Sequence, residues 1–497
     1  MKSFRIFIVI SLVLSVKLAA HAESTLPAKT LISNVTVLSA HLDRPVHHMD
    51  VLLEDGRIES IRETGTNPRS DVTIDGRGKY LIPGLIDSHV HLAHNPIVNR
   101  EDRSEFEALH RSYRRQLPRS LLYHGFTSVI DLDYAPDRNG WLPESEQVPH
   151  VYHCGRGVRN AGGYGPNFVP PEFVSRAFPN LVFERKHGEF WPTEMAPELY
   201  TVEAAVDRVV ESGAICLKTY VEPGFGGVFD LATPSMETLS ALGEAAHQHD
   251  LLFVIHANSA DAWQAAVSAD ADVIAHGMWH WDGDRRMAEL SQTAVSAIEA
   301  VVAAGVAVQP TMQVVAGEKR TLTWDFPEDD WAASILTQDL ANYLQSAKGD
   351  WSRRALLALY RVHNPFHDVS PAELIDVFMA RSANSTLRFY QSGGQLLMGS
   401  DTPAQDGVGN LPGLNGYLEM VGWAAAGIPL DQIFEAVTLN NAEAFGIDDE
   451  LGTVELGKHA DLLLLNSDPL NSVEAYNDIA FVILDGEVIA RDDLAAR

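Results

Sequence analysis

His89 and His91 stand one residue apart in "LIPGLIDSHVHL", residues 81–92, directly after a Pro-Gly turn. On a strand, residues two apart share a face, so both imidazoles project the same way. Leu85, Ile86, Val90 and Leu92 read as the apolar framework of a buried strand. A neutral imidazole is the commonest biological metal ligand. Taken alone, the pair reads either as a ligand pair or as two core histidines satisfied by backbone groups. Further apolar runs end in the same residue types. "FVIHAN" carries His256, "DVIAHG" carries His276 and "LLMGSD" carries Asp401. "AICLKTY" holds Lys218, whose charge needs a partner if the run is buried. Imidazoles and carboxylates ligate divalent metals, and a carboxylate also moves protons.

These residues act together only if the fold gathers them. Apolar runs at 85–91, 126–132, 150–155, 214–220, 252–257, 272–276, 305–310 and 395–401 read as strands. Amphipathic stretches such as "VEAAVDRVVES" and "METLSALGEAAHQH" lie between them. Eight strands with helical crossovers predict an α/β fold, a (β/α)₈ TIM barrel over residues 83–446. In such a barrel the site lies at the C-terminal strand ends. Four histidines, one lysine and one aspartate then meet at one mouth. Both chain ends read differently: residues 23–82 and 447–497 are short strands, with Asp-Gly turns at 55–56, 75–76 and 485–486. They predict one small β-sandwich domain built from both ends. The connection 311–394 is long, and "EDDWAASILTQDLANYLQS" and "WSRRALLALYRVHN" within it read as helices, the material of a lid.

The chain resembles the metal-dependent amidohydrolase superfamily, in the binuclear branch with a carboxylated lysine. "LIPGLIDSHVHL" resembles the strand-one motif, "LLYHGFTSVIDL" the second strand and "LLMGSDTP" the strand-eight motif. "IFEAVTLNNAEAFGI" followed by "LGTVELGKHADLLLLNSDPL" resembles the closing helix and the return to the β-domain. The resemblance implies two divalent metal ions, zinc as a rule. His89, His91 and Asp401 would hold the first and His256 and His276 the second. Lys218, as its carbon dioxide-derived carbamate, would offer one oxygen to each ion, which the ammonium cannot do. The alternative for Lys218 is a buried lysine paired with a carboxylate. Two ions 3.5–4 Å apart share a hydroxide and bring its pKa towards neutrality, roughly the range in other two-metal hydrolases. Asp401 would take its proton and pass it to the leaving group.

For the substrate, "CGRGVRNAGGYGPN", residues 154–167, resembles a Gly-rich loop of dipeptidase-like and imidazolonepropionase-like members. Tyr164 stands where a histidine is usual, which weakens any transfer of peptide specificity. Arg159 reads as a clamp for a substrate carboxylate or as a solvated loop arginine. Tyr220 shares the face of Lys218 and reads as a carbonyl-polarising group or as barrel packing. His280 follows the strand-six histidine and lines the expected pocket, with Trp279 and Trp281 as its apolar wall. His94 reads as a support of the strand-one motif. The expected activity is hydrolysis of an amide bond in a small molecule such as a dipeptide or N-acyl amino acid. The same site would serve a lactone, cyclic imide or phosphotriester. A metal-free scaffold is the contrasting class, against which stands the full set of ligands.

Composition narrows the partners. A net charge of −30 on 497 residues disfavours nucleic acid and anionic membranes. "MKSFRIFIVISLVLSVKLAAHAES" has a basic start, an apolar run and Ala20-His21-Ala22, which is a signal peptide over residues 1–22. It predicts an exported protein, periplasmic or secreted, without a membrane anchor; a homo-oligomer is compatible. Export permits a disulfide, but Cys154 and Cys216 sit in apolar runs and read as two buried free thiols.

Overall fold

A computed structural model describes residues 29–65, 68–135, 142, 147–226, 228–323, 330–363, 369–403 and 407–496. The expected signal peptide lies outside the described residues.

The N-terminal segment forms β1 (Thr30–Val37), β2 (Val46–Glu54), β3 (Arg57–Glu63), β4 (Val72–Asp75) and β5 (Tyr80–Pro83). β15 (Leu462–Leu465), β16 (Ile479–Leu484) and β17 (Glu487–Ala490) come from the other chain end. All eight join one sheet in the order β17-β16-β15-β5-β1-β2-β3, with β4 also on β1. The two-residue turns at Asp55-Gly56 and Asp485-Gly486 have positive φ at both positions, the geometry that closes a tight hairpin. Asp75-Gly76 differs from its expected role. β4 and β5 both run parallel to β1, so this dipeptide closes no hairpin. Gly76 is needed for close approach instead, because a Cβ there would lie 2.6 Å from that of Val35. Alternation in these strands packs Ile32, Val35, Val51, Leu53, Leu81, Leu462, Leu464 and Ile483 into one apolar cluster.

The middle of the chain is parallel. β6 (Leu85–Val90), β7 (Phe126–Asp131) and β8 (His150–His153) form one sheet. The short strands β9 (Arg159–Asn160) and β10 (Leu181–Val182), absent from the sequence reading, pair with each other. β11 (Cys216–Tyr220), β12 (Leu252–His256), β13 (Val273–Ala275) and β14 (Ala307–Gln309) form another. Backbone hydrogen bonds join the two. Ile215 donates to His153 (3.0 Å), Leu397 to Val308 (2.9 Å) and Ser88 to Met398 (3.0 Å). Strand-to-strand bonding thus passes through Gln395–Met398 and returns to β6.

Helices alternate with these strands, and their starts are written locally. Thr201, Ser235, Ser259 and Ser291 cap the helices Val202–Glu211, Met236–Gln248, Ala260–Ser268 and Gln292–Ala304. Ser370 and Glu373 form a reciprocal capping box on Pro371–Gln391. Each such cap stabilises its helix by about 0.5–2 kcal/mol. In the long 311–394 connection Trp351–His363 is helical as expected, whereas the other expected helix is split into Asp330–Ala333 and Gln338–Leu344. No described helix is long and apolar enough to cross a membrane.

One expectation is corrected. Cys154 and Cys216 are not free thiols: they form a disulfide, with Cα atoms 4.3 Å apart. Cys154 follows β8 and Cys216 opens the neighbouring β11, an adjacency that the apolar character of each run cannot reveal. The bridge closes 62 residues of chain. Loop-closure entropy for that length corresponds to about 4 kcal/mol. Replacing both cysteines by alanine is expected to lower unfolding stability by up to that amount in urea titrations. A change within error of zero would mean that the bridge is absent in solution.

Candidate active site

His89 is the fifth residue of β6, and its side chain is 1% exposed. Its packing depends on "LLMGSD": a Cβ on Gly399 would sit 2.7 Å from that of His89. Asn441, in the closing helix Leu439–Ala444, ties strand one to the strand-eight segment by donating to the carbonyls of Ile86 (2.7 Å) and Met398 (2.8 Å). Asp401 then lies where both histidines reach it. His89 Nε2 is 3.3 Å and His91 Nε2 3.1 Å from Asp401 Oδ1. Ligand atoms of His89, His91 and Asp401 all lie within 4.8 Å of one another, a spacing fit for one metal ion.

His256 ends β12, and His276 follows β13. Their ring centroids are 4.5 Å apart, and His276 is 5.2 Å from His89. His276 Nδ1 is 2.8 Å from Thr311 Oγ1, which leaves Nε2 for other partners. His256 Nε2 is 3.3 Å from Glu222 Oε2, which leaves Nδ1. Such outer partners fix the tautomer and direction of a ligating ring. His276 has φ 86° and Asp401 φ 53°. Left-handed backbone is strained for such residues, and strain of this kind clusters at functional sites.

Lys218 is central on β11 and 1% exposed. Among the described residues its Nζ has no hydrogen-bond partner. Burial brings its pKa down to about 7. The alternative of a lysine hydrogen-bonded to a carboxylate is therefore not what the structure shows. Burial also holds His89 and His276 well below the ordinary imidazole range, and His256 below it. Neutral imidazole is the ligating form. For His91 burial acts downwards, but the hydrogen bond and charge of Asp401 outweigh it and raise the pKa. For Asp401 burial acts upwards, but His91 and the charges of His276 and Lys218 outweigh it and lower the pKa. An ionised carboxylate, imidazoles kept neutral by burial at His89, His256 and His276, and a lysine nitrogen without a hydrogen-bond partner among the described residues suit a divalent metal and a carbamate.

Of the expected substrate residues, Tyr164 and Tyr220 adjoin this group. Tyr164 stacks on His256, with centroids 4.8 Å apart, and Tyr220 lies 5.7 Å from the same ring. Arg159 is not a solvated loop arginine: it is 8% exposed, pairs with Asp133 at 3.1 Å and lies 3.9 Å over the Tyr220 ring. Its charge is thus already compensated, and it buttresses Tyr220. The Tyr220 hydroxyl is buried without a hydrogen-bond partner among the described residues. His280 is buried beside Phe378 of the long connection, at 5.3 Å. Trp279 packs with Val315 and Ile375 in the same region, its Nε1 donating to Ser382 Oγ at 3.0 Å. Trp281 lies under the Arg381 guanidinium at 4.1 Å. His94 lies beside His91, with ring centroids 5.3 Å apart, and reaches the Pro403 carbonyl, as a support would.

Sequence reading missed Glu222 and Asp131. Glu222 is two residues past Tyr220, so the alternation that groups Lys218 with Tyr220 extends to it. Its carboxylate also accepts from Asn258 Nδ2 at 2.6 Å. Asp131 ends β7 and accepts from the Leu92 amide at 3.1 Å, holding the turn after His91.

The profile of the amidohydrolase family matches residues 369–489, which hold Asp401, Asn441 and the return to the sheet. A dihydroorotase of Lactobacillus acidophilus is 40% identical over 164 residues, 33% of this chain and 33% of that protein. An L-hydantoinase of Paenarthrobacter aurescens is 29% identical over 83 residues, 17% of this chain and 16% of that protein. The chain thus matches a third or less of the length of these curated relatives. A solved Xaa-Pro dipeptidase with methionine bound in its active site superposes with TM-score 0.64 over 93% of this chain and 100% of that one, at 18% identity. That likeness is one of fold. The family's profile thus matches the Asp401 segment and the closing helix, and the chain shares the fold of that dipeptidase.

Proposed function

We propose that this protein is an exported, metal-dependent hydrolase of carbon–nitrogen bonds, built as a (β/α)₈ barrel (83–446) beside a small β-sandwich (23–82 with 447–497). The reading rests chiefly on one observation: four histidines, Asp401 and Lys218, whose Nζ has no hydrogen-bond partner among the described residues, form one largely buried group. The returning circuit of strand hydrogen bonds supports the barrel, and the sheet shared by both ends supports the second unit.

His89, His91 and Asp401 would hold one divalent ion, and His256 and His276 a second, with Lys218 as a carbamate serving both. Zinc suits this donor set. When bound, the ions would supply a polarised carbonyl and a water acidic enough to attack at neutral pH. Asp401 takes the proton of the attacking water and carries it to the leaving nitrogen, which departs as a neutral amine. Tyr220, steadied by Arg159, donates its free hydroxyl to the substrate carbonyl. Tyr164 and His280 shape the mouth.

The substrate is the amide of a dipeptide or N-acyl amino acid, a reading favoured by the shared fold with a dipeptidase. The partial likeness to an L-hydantoinase favours a cyclic imide as the second reading. Purified protein tested against dipeptides, N-acyl amino acids, cyclic imides and lactones separates these. Turnover of a C–N substrate, removed by a chelator and restored by zinc, is expected. Activity confined to lactones, or indifferent to chelation, counts against the proposal. Glu222→Gln, which weakens the hold on His256, should lower metal affinity roughly 10- to 100-fold, the usual cost of losing an outer partner. Competition with a chromophoric chelator measures it, and an unchanged affinity would detach Glu222 from the site.

A further inference from the structure

A second group of metal-ligating side chains lies at the opposite end of the strands. His150 opens β8, at the end away from His153 and the candidate active site. Opposite it stand His459 and Asp461, just before β15, and Asp485 in the turn between β16 and β17. One ligand atom from each of the four lies within 4.8 Å of all the others. His150 Nε2 is 3.0 Å from Asp461 Oδ2 and 3.3 Å from Asp485 Oδ1, and His459 Nδ1 is 3.5 Å from Asp485 Oδ1. Tetrahedral zinc with bonds of about 2.0–2.1 Å sets neighbouring ligand atoms about 3.3 Å apart. The three observed separations bracket that edge.

His150 has one Nε2 hydrogen and two carboxylates facing it. Among the described residues neither Nε2 nor Asp461 Oδ2 has a hydrogen bond of acceptable geometry, although both atoms are buried. The Asp461 side chain is 1% exposed, so its charge is withdrawn from water. Its other oxygen accepts from the Asp485 amide at 2.7 Å, which aims Oδ2 into the cluster. His459 Nε2 is 2.6 Å from Glu450 Oε2. A proton held there leaves the Nδ1 lone pair facing Asp485. Glu450 in turn pairs with Arg57 at 3.0 Å. A carboxylate orienting a ligating histidine in this way is a recurrent outer arrangement of zinc sites.

We propose that His150, His459, Asp461 and Asp485 form a structural zinc site, separate from the candidate active site. Two neutral imidazoles and two carboxylates neutralise one divalent ion, and imidazole donors select zinc over magnesium or calcium. His150 belongs to the parallel strands and the other three ligands to the end-formed sheet, so the ion pins one to the other.

The test counts zinc. Full-length protein is stripped with chelator, reloaded with zinc, desalted and analysed for metal per chain. Asp485→Asn is the mildest variant, since asparagine tolerates the positive φ of 49° at this exposed turn. His150→Gln is the second. Either variant, and their combination, is expected to hold one zinc ion fewer per chain than the parent while keeping its circular dichroism and turnover. His89→Ala/His91→Ala is expected to retain the zinc that Asp485→Asn loses. That result stands even if the active-site reading fails, because the parent would then carry this ion alone. Cobalt substitution adds a direct signature: tetrahedral absorption that persists in His89→Ala/His91→Ala and vanishes when Asp485→Asn is added. Equal zinc content in the parent and in folded Asp485→Asn/His150→Gln protein overturns the proposal.

Discussion

Asp401→Asn is expected to keep its fold and lose most of its turnover, on the order of 10²- to 10⁴-fold, the range for a general acid–base group. Asparagine matches aspartate in size and tolerates the left-handed backbone at φ 53°. What disappears is the charge and the proton-accepting oxygen. His89 and His91 both converge on Oδ1, at 3.3 and 3.1 Å, so the same change loosens their common partner. His91 also loses the hydrogen bond and charge that raise its pKa. The two effects separate experimentally. Metal content reports ligation, and a comparison of substrates with good and poor leaving groups reports proton delivery. The loss should be steepest for an amide whose nitrogen leaves poorly. A variant with near-parental rates on such an amide would show that another residue moves the proton.

Lys218→Ala should bind less metal and lose activity to the detection limit. The residue lies on a strand whose five residues are all buried, and burial brings its pKa down to about 7. Above that pH the neutral amine predominates, and its lone pair can attack carbon dioxide. One N–C bond forms and one proton leaves. The product would be an anion with two oxygens where Lys218 otherwise offers a nitrogen without a hydrogen-bond partner among the described residues. Bicarbonate should not rescue the alanine variant, whereas acetate or propionate should restore part of the rate by filling the gap. Mass measured under non-denaturing conditions should show one added carbon dioxide on the parent, lost on acidification. A fully active parent with one metal at the active site, counted apart from any ion held by His150 and Asp485, and an unmodified lysine would rule out the carbamate bridge.

Much of this was legible in the chain alone. Strands and helices are local consequences of period and capping. The eight expected strand positions all carry parallel pairing, including the 395–401 segment, which bridges Val308. The His-x-His pair, His256, His276 and Asp401 were visible because each ends an apolar run, and Lys218 because it interrupts one. Glu222 is a near miss of the same kind, since period two from Lys218 reaches it.

Other features depend on which distant segments become neighbours, and no local pattern encodes that. Cys154 and Cys216 looked like inert core thiols because each lies among apolar residues; only the adjacency of β8 and β11 makes them a bridge. Arg159 looked free on a glycine-rich loop until Asp133 and Tyr220 enclosed it. His150 and Asp485 come together because the sheet returns its C-terminal turn to the foot of β8. By itself the sequence determined the elements and the residue types at their ends, because backbone propensity and alternation act over a few residues. The tertiary structure decided the partners, because desolvation, ion pairing and ligation depend on distances across hundreds of residues.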